Sequence, residues 1–391
     1  MAIIVKKFGG TSVGSTGLIQ NIAAQIASGR QPGDSLVLVV SAMAKTTDDL
    51  VALAYGISEH PSRRELDMLL TAGERISMSL LSLALQKEGL DSISFTGSQS
   101  GIITDNKHGN ARILNVSAFR INEELERGKI VIVAGFQGVS QAKEITTLGR
   151  GGSDTSAVAL ACYLRAERCE IFTDVDGVYT ADPRIVKQAR LLPAIDYGQM
   201  LALAYNGSKV MHPRAVEFAW KYRIPVEVKS SFTFAPGTLI CPETKHKGTT
   251  MEERNVTAIA HKENLLRYAL KQDQALYAAL KTWNNEIFRY SAENGVLELV
   301  IEDKYEKEIN HFLEQNRTVA LSVDKGLGYV TLVGLGINLD PGFLAETLEI
   351  CQPFELLRVS HSDKTIELML PSAQVQSCVQ ALHKALIEDR K

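Results

Sequence analysis

The sequence predicts an α/β protein with a mostly parallel central sheet, followed by two small α+β units. Three observations carry that expectation: short apolar runs alternate with longer amphipathic ones, glycines cluster where the apolar runs end, and a faint repeat marks the C-terminal third. In order, Ile3 to Phe8 reads as a strand, Leu18 to Ala27 as a helix, Ser35 to Val40 as a strand and Asp48 to Ile57 as a helix. A long helical stretch from Arg64 to Gln86 follows, then a strand at Ile93 to Phe95, a helix at Ala118 to Arg127 and a buried strand at Ile130 to Ala134. Helix Asp154 to Arg165 and strand Glu170 to Thr173 continue the rhythm. Such sheets bind ligands beyond the carboxyl ends of their strands. Gly9-Gly10, Gly135 with Gly138, and Gly177 all fall at those ends.

The chain has 391 residues, more than one core usually supports, so two or three domains are expected. Forty-five per cent of residues are hydrophobic and 22% charged, the balance of an ordinary globular protein. Forty-two Lys+Arg against forty-five Asp+Glu leave a charge of -3 and no basic run, which excludes a nucleic-acid footprint. The N-terminus MAIIVKKFGG lacks the features of a signal peptide, and no window reads as a membrane span, so a cytoplasmic protein is expected. Five cysteines without CxxC spacing point to reduced thiols rather than disulfides or a zinc site.

Three clusters carry candidate chemistry. In KKFGGTSVGS, Gly9 and Gly10 free the backbone N–H groups to approach an anion, and Lys7 offers a mobile charge for phosphate oxygens. Taken alone, this is as well explained by a tight turn. In TTLGRGGSDTSAVALA, Arg150, Gly151, Gly152, Ser153 and Asp154 precede a helix whose N-terminus attracts anions, with Ser153 or Asp154 as its cap. Arg150 can grip a carboxylate through two parallel hydrogen bonds. In FTDVDGVYTADPR, three acids, Tyr179 and Arg184 can line a nucleotide, although the acids taken singly suit a polar turn. Ser41, Thr47, Glu74 and Lys209 are further candidates. Glu74 on its own reads as a solvated acid. No GxxxxGK[ST] and no protein-kinase signature occurs, and GLGIN at Gly334 lacks the third glycine of a dinucleotide loop.

Together, KFGGTS, SAMAKTTDDL, TAGERIS, TGSQSGIITDNKHGNARI, AGFQG, LGRGGSD, FTDVDGVYTADPR and SKVMHPRAVEFA occur in this order and resemble bacterial aspartokinases over about residues 3 to 240. The resemblance implies the amino-acid-kinase fold, a three-layer α/β sandwich, followed by two ACT regulatory domains. It implies ATP and Mg²⁺ as cofactors and L-aspartate as substrate, with 4-phospho-L-aspartate and ADP as products. Lys7 resembles the lysine that stabilises the transferring phosphoryl group, within a loop of Gly9, Gly10, Thr11 and Ser12. Arg150 resembles the arginine holding the α-carboxylate of aspartate, and Glu74 the acid facing its amino group. Ser41, Thr47, Phe136, Gly151, Gly152 and Ser153 resemble pocket residues. Asp154 resembles the acid that organises the phosphate-binding lysines and is the candidate nearest the magnesium. Thr173, Asp174, Tyr179, Asp182, Arg184 and Lys209 resemble the nucleotide side, Lys209 also touching phosphate.

The expected domains are a catalytic unit over 1–240, a linker over 241–255, a degenerate ACT-like unit over 256–325 and a second over 326–391. The text from Thr233 to Glu253 holds prolines, glycines and charges without periodicity. Beyond it, VTAIAHKEN at Val256 matches VTLVGLGIN at Val330, and LELVI at Leu297 echoes IELML at Ile366. GLGINLDPGFLAETLEI resembles the start of an ACT domain, whereas the first copy lacks the DxPG loop that typically holds lysine or threonine. Weak or absent feedback inhibition and a homodimer through this region are therefore expected. Met251 sits where related enzymes can start a separate regulatory chain. A kinase of another small acid and a catalytically silent ligand sensor are the alternatives. Arg150 with Glu74 favours a free amino acid over the first, and the intact Lys7, Arg150, Asp154 and Lys209 oppose the second.

Overall fold

A computed structural model describes residues 2–31, 33–242, 255–283, 287–338 and 340–390. Most of the expected linker and Met251 lie outside the described residues. The chain forms two compact units. The first comprises the chain up to Val178, Leu191–Leu201 and residues 209–242; the second comprises Tyr179–Arg190, Ala202–Ser208 and the C-terminal residues from 255.

The first unit contains β1 (Ile3–Phe8), α1 (Thr16–Gly29), β2 (Ser35–Val40), α2 (Thr46–Ile57), α3 (Arg63–Leu70), α4 (Ala72–Lys87), β3 (Ser92–Phe95), β4 (Ile102–Thr104), β5 (Ile113–Val116), α5 (Phe119–Glu126) and β6 (Ile130–Ala134). It continues with β7 (Gln137–Ser140), β8 (Ile145–Thr147), α6 (Gly152–Tyr163), β9 (Arg168–Thr173), β10 (Ala194–Asp196), α7 (Tyr197–Tyr205), α8 (Pro213–Tyr222), β11 (Val226–Ser230) and β12 (Thr238–Cys241). The boundary between units falls within α7.

Eight strands form one sheet in the order β10-β12-β11-β9-β1-β2-β6-β3, parallel except where β12 meets β11. Every residue of β2 and β6 is buried, as their uninterrupted apolar text requires of strands covered on both faces. On one face Ile4, Phe8, Leu36, Leu38 and Ile132 pack with Ile19, Ile22 and Ile26 of α1 and Met78, Leu81 and Leu85 of α4. On the other, Val5, Val37 and Val39 are fully buried and α6 packs across β1, β2 and β9. Each such side chain contributes about 1.5–3 kcal/mol by leaving water. A smaller sheet, β5-β4-β7-β8, completes the unit.

Two expectations need correction. The aperiodic text after Thr233 contains β12, which pairs with both β11 and β10; sheet neighbours, not side-chain pattern, make it a strand. The expectation of no membrane span meets a helical stretch, Arg63–Lys87, that is long and apolar enough by length and composition alone. Its polar residues Asp67, Thr71, Glu74 and Ser77 are nevertheless buried within the first unit, each holding a hydrogen bond there.

The second unit runs β13 (Asn255–Lys271), α9 (Gln274–Leu280), β14 (Arg289–Glu293), β15 (Val296–Glu302), α10 (Glu306–Gln315), then β16 (Ala320–Leu335), α11 (Pro341–Ile350), β17 (Arg358–Ser362), β18 (Thr365–Pro371) and α12 (Val375–His383). Each half is thus βαββα, and both contribute to one antiparallel sheet, β14-β15-β13-β16-β18-β17. Without a DxPG loop the first half still starts its helix on an aspartate: Asp273 accepts from Leu276 N–H, as Asp340 accepts from Gly342 N–H in the second. All five cysteines carry free thiols.

Candidate active site

The carboxyl ends of β1, β2, β6 and β9 gather the glycine turns. Gly9 N–H donates to the carbonyl of Phe172, Ala44 N–H to that of Gly10, and Ser41 N–H to that of Phe8, stitching three strand ends together. A Cβ at Gly10 would lie 2.9 Å from the Ala42 carbonyl oxygen, so only glycine allows these turns to close on one another.

Lys7, the penultimate residue of β1, has its side chain mostly buried, and its Nζ stands 2.7 Å from Oδ1 of Asp154. The pair is joined by charge, with Asp154 in the first turn of α6, where the helix dipole favours an anion. The Nζ also lies 3.5 Å from where a Gly9 Cβ would be, which places the ammonium over the glycine turn. The expected Ser153 or Asp154 cap is not what begins α6. The helix starts earlier, at Gly152, with Gly151 as a left-handed N-cap at φ 66°, so both residues sit inside the first turn. A Cβ at Gly151 would lie 2.2 Å from that of His212, so the tight fit with the start of α8 explains the glycine.

Glu74 is not a solvated acid. It is 3% exposed at the start of α4, where Oε1 accepts from Ala42 N–H and Oε2 has no hydrogen-bond partner among the described residues. Burial pushes its carboxyl up from the ordinary 4.5 to about 7, against the opposing pull of the Glu74 and Ala42 backbone N–H groups. A buried carboxyl oxygen without a donor marks a polar group left to be satisfied from outside the fold.

The remaining candidates divide by position. Arg150 is exposed and has no hydrogen bond or ion pair among the described residues. Phe136 follows β6 in the left-handed region at φ 68°, its N–H donating to Ser156 Oγ. Ser41 and Thr47 are half-buried at the end of β2 and the first turn of α2. Thr11 is exposed, whereas Ser12 is 2% exposed and its hydroxyl donates to Ser231, whose own hydroxyl donates to the Thr173 carbonyl. Ser12 therefore ties the glycine turn to the end of β9. Thr173 Oγ1 donates to Asp174, and Lys209 is exposed ahead of α8. Tyr179, Asp182 and Arg184 fall in the second unit. There Arg184 grips Asp182 at 2.6 Å, and this hydrogen bond holds the Asp182 carboxyl below its ordinary value. The loop they share is closed by Thr180, whose hydroxyl accepts from Arg190 N–H and lies 2.9 Å from Nε2 of the fully buried His383.

Sequence reasoning missed Ser231, Asp67, His108 and Arg214. Ser231 was detectable as a small polar residue just past a strand of alternating pattern. Asp67 was not, because its partners lie 41 and 80 residues downstream.

Comparison with known proteins is consistent over the whole chain. The sequence profile of the amino acid kinase family matches residues 2–230. The chain is 43% identical to an aspartokinase of Bacillus sp. (strain MGA3), over 98% of this chain and 97% of that protein. It is 42% identical to aspartokinase 2 of Bacillus subtilis (strain 168), covering 98% of each. Among solved structures, E. coli aspartokinase III in complex with aspartate and ADP superposes with a TM-score of 0.84 at 25% identity, over 98% of this chain and 99% of that one.

Proposed function

Because the chain belongs to the aspartokinases of the amino acid kinase family, we propose that the Lys7–Asp154 pair, Glu74 and Arg150 form its phosphoryl-transfer site. The protein is an ATP-dependent aspartate kinase that converts L-aspartate to 4-phospho-L-aspartate, opening the synthesis of lysine, threonine and methionine.

The assignment of roles follows from charge. The aspartate side-chain carboxylate, with an ordinary pKa of about 3.9, is already ionised at neutral pH and needs no general base. One of its oxygens attacks the γ-phosphorus, the bond to the β-phosphate oxygen breaks, and ADP leaves with the electron pair. Catalysis then rests on alignment and on neutralising the phosphate oxygens. Lys7 is placed for the second task, over a turn whose glycines expose backbone N–H groups. Asp154 holds the ammonium in place. Glu74 would receive the substrate ammonium on its free oxygen and Arg150 the α-carboxylate. This pairing recognises a free amino acid and disfavours N-acylated acids.

Magnesium is typically bound through substrate phosphates with one or two carboxylates, and Asp154 is the carboxylate that would reach it. The ion would neutralise charge on the phosphates. Thr173, Asp174 and Lys209 of the first unit, and Tyr179, Asp182 and Arg184 of the second, are assigned to the nucleotide by resemblance. A homodimer through the six-stranded sheet is supported by its open edges β14 and β17, which expose Tyr290 and Val359. Met251 stands just ahead of β13, so a chain begun there would carry both βαββα halves. A cytoplasmic enzyme acting on small molecules is the reading the aspartokinase relatives support.

The observation that carries the reading is the 2.7 Å Lys7–Asp154 pair at the head of the glycine turn. Hydroxylamine trapping of acyl phosphate with ATP, Mg²⁺ and L-aspartate measures the reaction. Unchanged turnover in folded Lys7→Ala protein refutes the role of Lys7. Competition by glutamate or acetylglutamate at equal concentration would favour a related small-acid kinase instead.

A further inference from the structure

We propose that Asp67, assisted by Arg214, is a positioning residue for substrate binding: the two clamp the turn that presents Arg150. The inference rests on the reading of Arg150 as the α-carboxylate ligand and concerns the motif TDNKHGNARI, which the reaction itself leaves unused.

Asp67 projects from α3 and is 0% exposed. Its Oδ1 accepts from Thr147 Oγ1 at 2.5 Å and Oδ2 lies 2.7 Å from Nδ1 of His108, while Gly109 N–H stands 3.1 and 3.2 Å from the two oxygens. One carboxylate thus joins the loop of residues 106–111 to the end of β8. The same two segments meet again where Ala111 N–H donates to the Thr147 carbonyl. From the other side, Arg214 of α8 donates to the carbonyls of Leu148 and Ala111 at 2.6 and 2.8 Å, and to Asn110 Oδ1 at 3.3 Å. Leu148 is two residues from Arg150.

Between these supports the turn has almost no freedom. Gly149 has φ 75°, and a Cβ there would lie 3.0 Å from the Gly109 carbonyl oxygen and 3.1 Å from Asn110 Oδ1. Gly151 abuts His212 in the same way. Arg150 has no side-chain partner of its own among the described residues, so the backbone of this turn alone sets where its guanidinium starts. A glycine turn would drift if unsupported, and a misplacement of about 1 Å can cost a hundredfold. Asp67 holds the loop that forms one wall of the turn, and Arg214 holds the other.

The test compares KM values in Asp67→Asn, which keeps the shape but leaves a single acceptor oxygen for the donors around it. The expected result is a rise of about tenfold or more in KM for aspartate, with KM for ATP within about twofold. In the Arg150→Ala background, Asp67→Asn should add nothing further to KM for aspartate, because both act through one group. An unchanged KM in folded Asp67→Asn, an equal rise for both substrates, or a multiplicative effect in the double variant overturns the clamp while leaving Arg150 intact. An unchanged KM for aspartate in Arg150→Ala overturns the Arg150 reading and the clamp with it. Should Asp67→Asn fail to fold, Thr147→Val, which removes only the 2.5 Å bond, carries the same comparison.

Discussion

Replacing Glu74 by glutamine separates the cost of this residue from its use. With its carboxyl raised from 4.5 to about 7, the folded chain holds a proton between those pH values that the unfolded chain has released. Stability therefore falls as pH rises through that window, and above it the buried anion costs about 3 kcal/mol. The amide of Glu74→Gln can keep the bond from Ala42 N–H without carrying charge. The variant should match the wild type near pH 4.5 and exceed it by up to about 3 kcal/mol at pH 8. Urea unfolding at both pH values reads this directly, and taking the difference between the two proteins cancels other titrating groups.

The same substitution should weaken substrate binding, because a hydrogen bond to a charged group is worth about 1.5–3 kcal/mol. KM for aspartate should rise about 10- to 100-fold at pH 8. In the wild type it should also climb as pH falls below about 7, when Glu74 takes up a proton and can no longer attract an ammonium; in the variant that slope should vanish. A stability difference that does not change between pH 4.5 and 8 would refute the burial argument. An unaltered KM would refute the ammonium assignment.

Three other outcomes follow from the geometry. Lys7→Ala should lower kcat by about 10²–10³ with little change in KM for aspartate, measured by the acyl-phosphate trap, since the interaction strengthens as charge develops on the phosphate. Arg150→Ala should raise KM for aspartate by about tenfold or more while calorimetry finds nucleotide affinity preserved. His383→Leu should lower the urea midpoint by the equivalent of about 1–3 kcal/mol, because it strands the Thr180 and Glu388 groups that face the imidazole at 2.9 and 2.7 Å. Thr180→Val should add little on top of it.

The sequence was most legible where a strand is buried on both faces. Ser35 to Val40 and Ile130 to Ala134 are apolar almost throughout, and their bounds come out as read. The glycine turns were legible for a related reason: a residue without Cβ opposes ordinary packing, so Gly9-Gly10 and Gly149 to Gly152 announce a special backbone. Helix starts were less so. Asp154 has the chemistry of a cap, yet α6 begins before it because Gly151 adopts the left-handed turn and the helix dipole accepts an acid in the first turn. Strand β12 was hidden by Pro236 and Gly237, since nothing in its own text reveals that β10 and β11 lie on either side. Long-range polar contacts were not legible at all. Asp67 looks like any helix acid until the fold brings in His108 and Thr147.

Glu74 was named from the sequence, but its burial was not. Burial statistics assign an isolated glutamate to the surface, and by stability alone a neutral side chain would serve better between α4 and the end of β2. The acid is nevertheless inside, with one oxygen held by Ala42 and the other free. On the reading proposed above, a cation from outside the fold offsets that burial. The α-ammonium of aspartate meets that requirement, and its arrival would draw the Glu74 carboxyl back toward the ionised form. Substrate binding should therefore release a proton below about pH 7, an effect that fades at higher pH and disappears in Glu74→Gln. Calorimetry in buffers of different ionisation enthalpy measures that proton, and equal release from both proteins would remove Glu74 from the binding site.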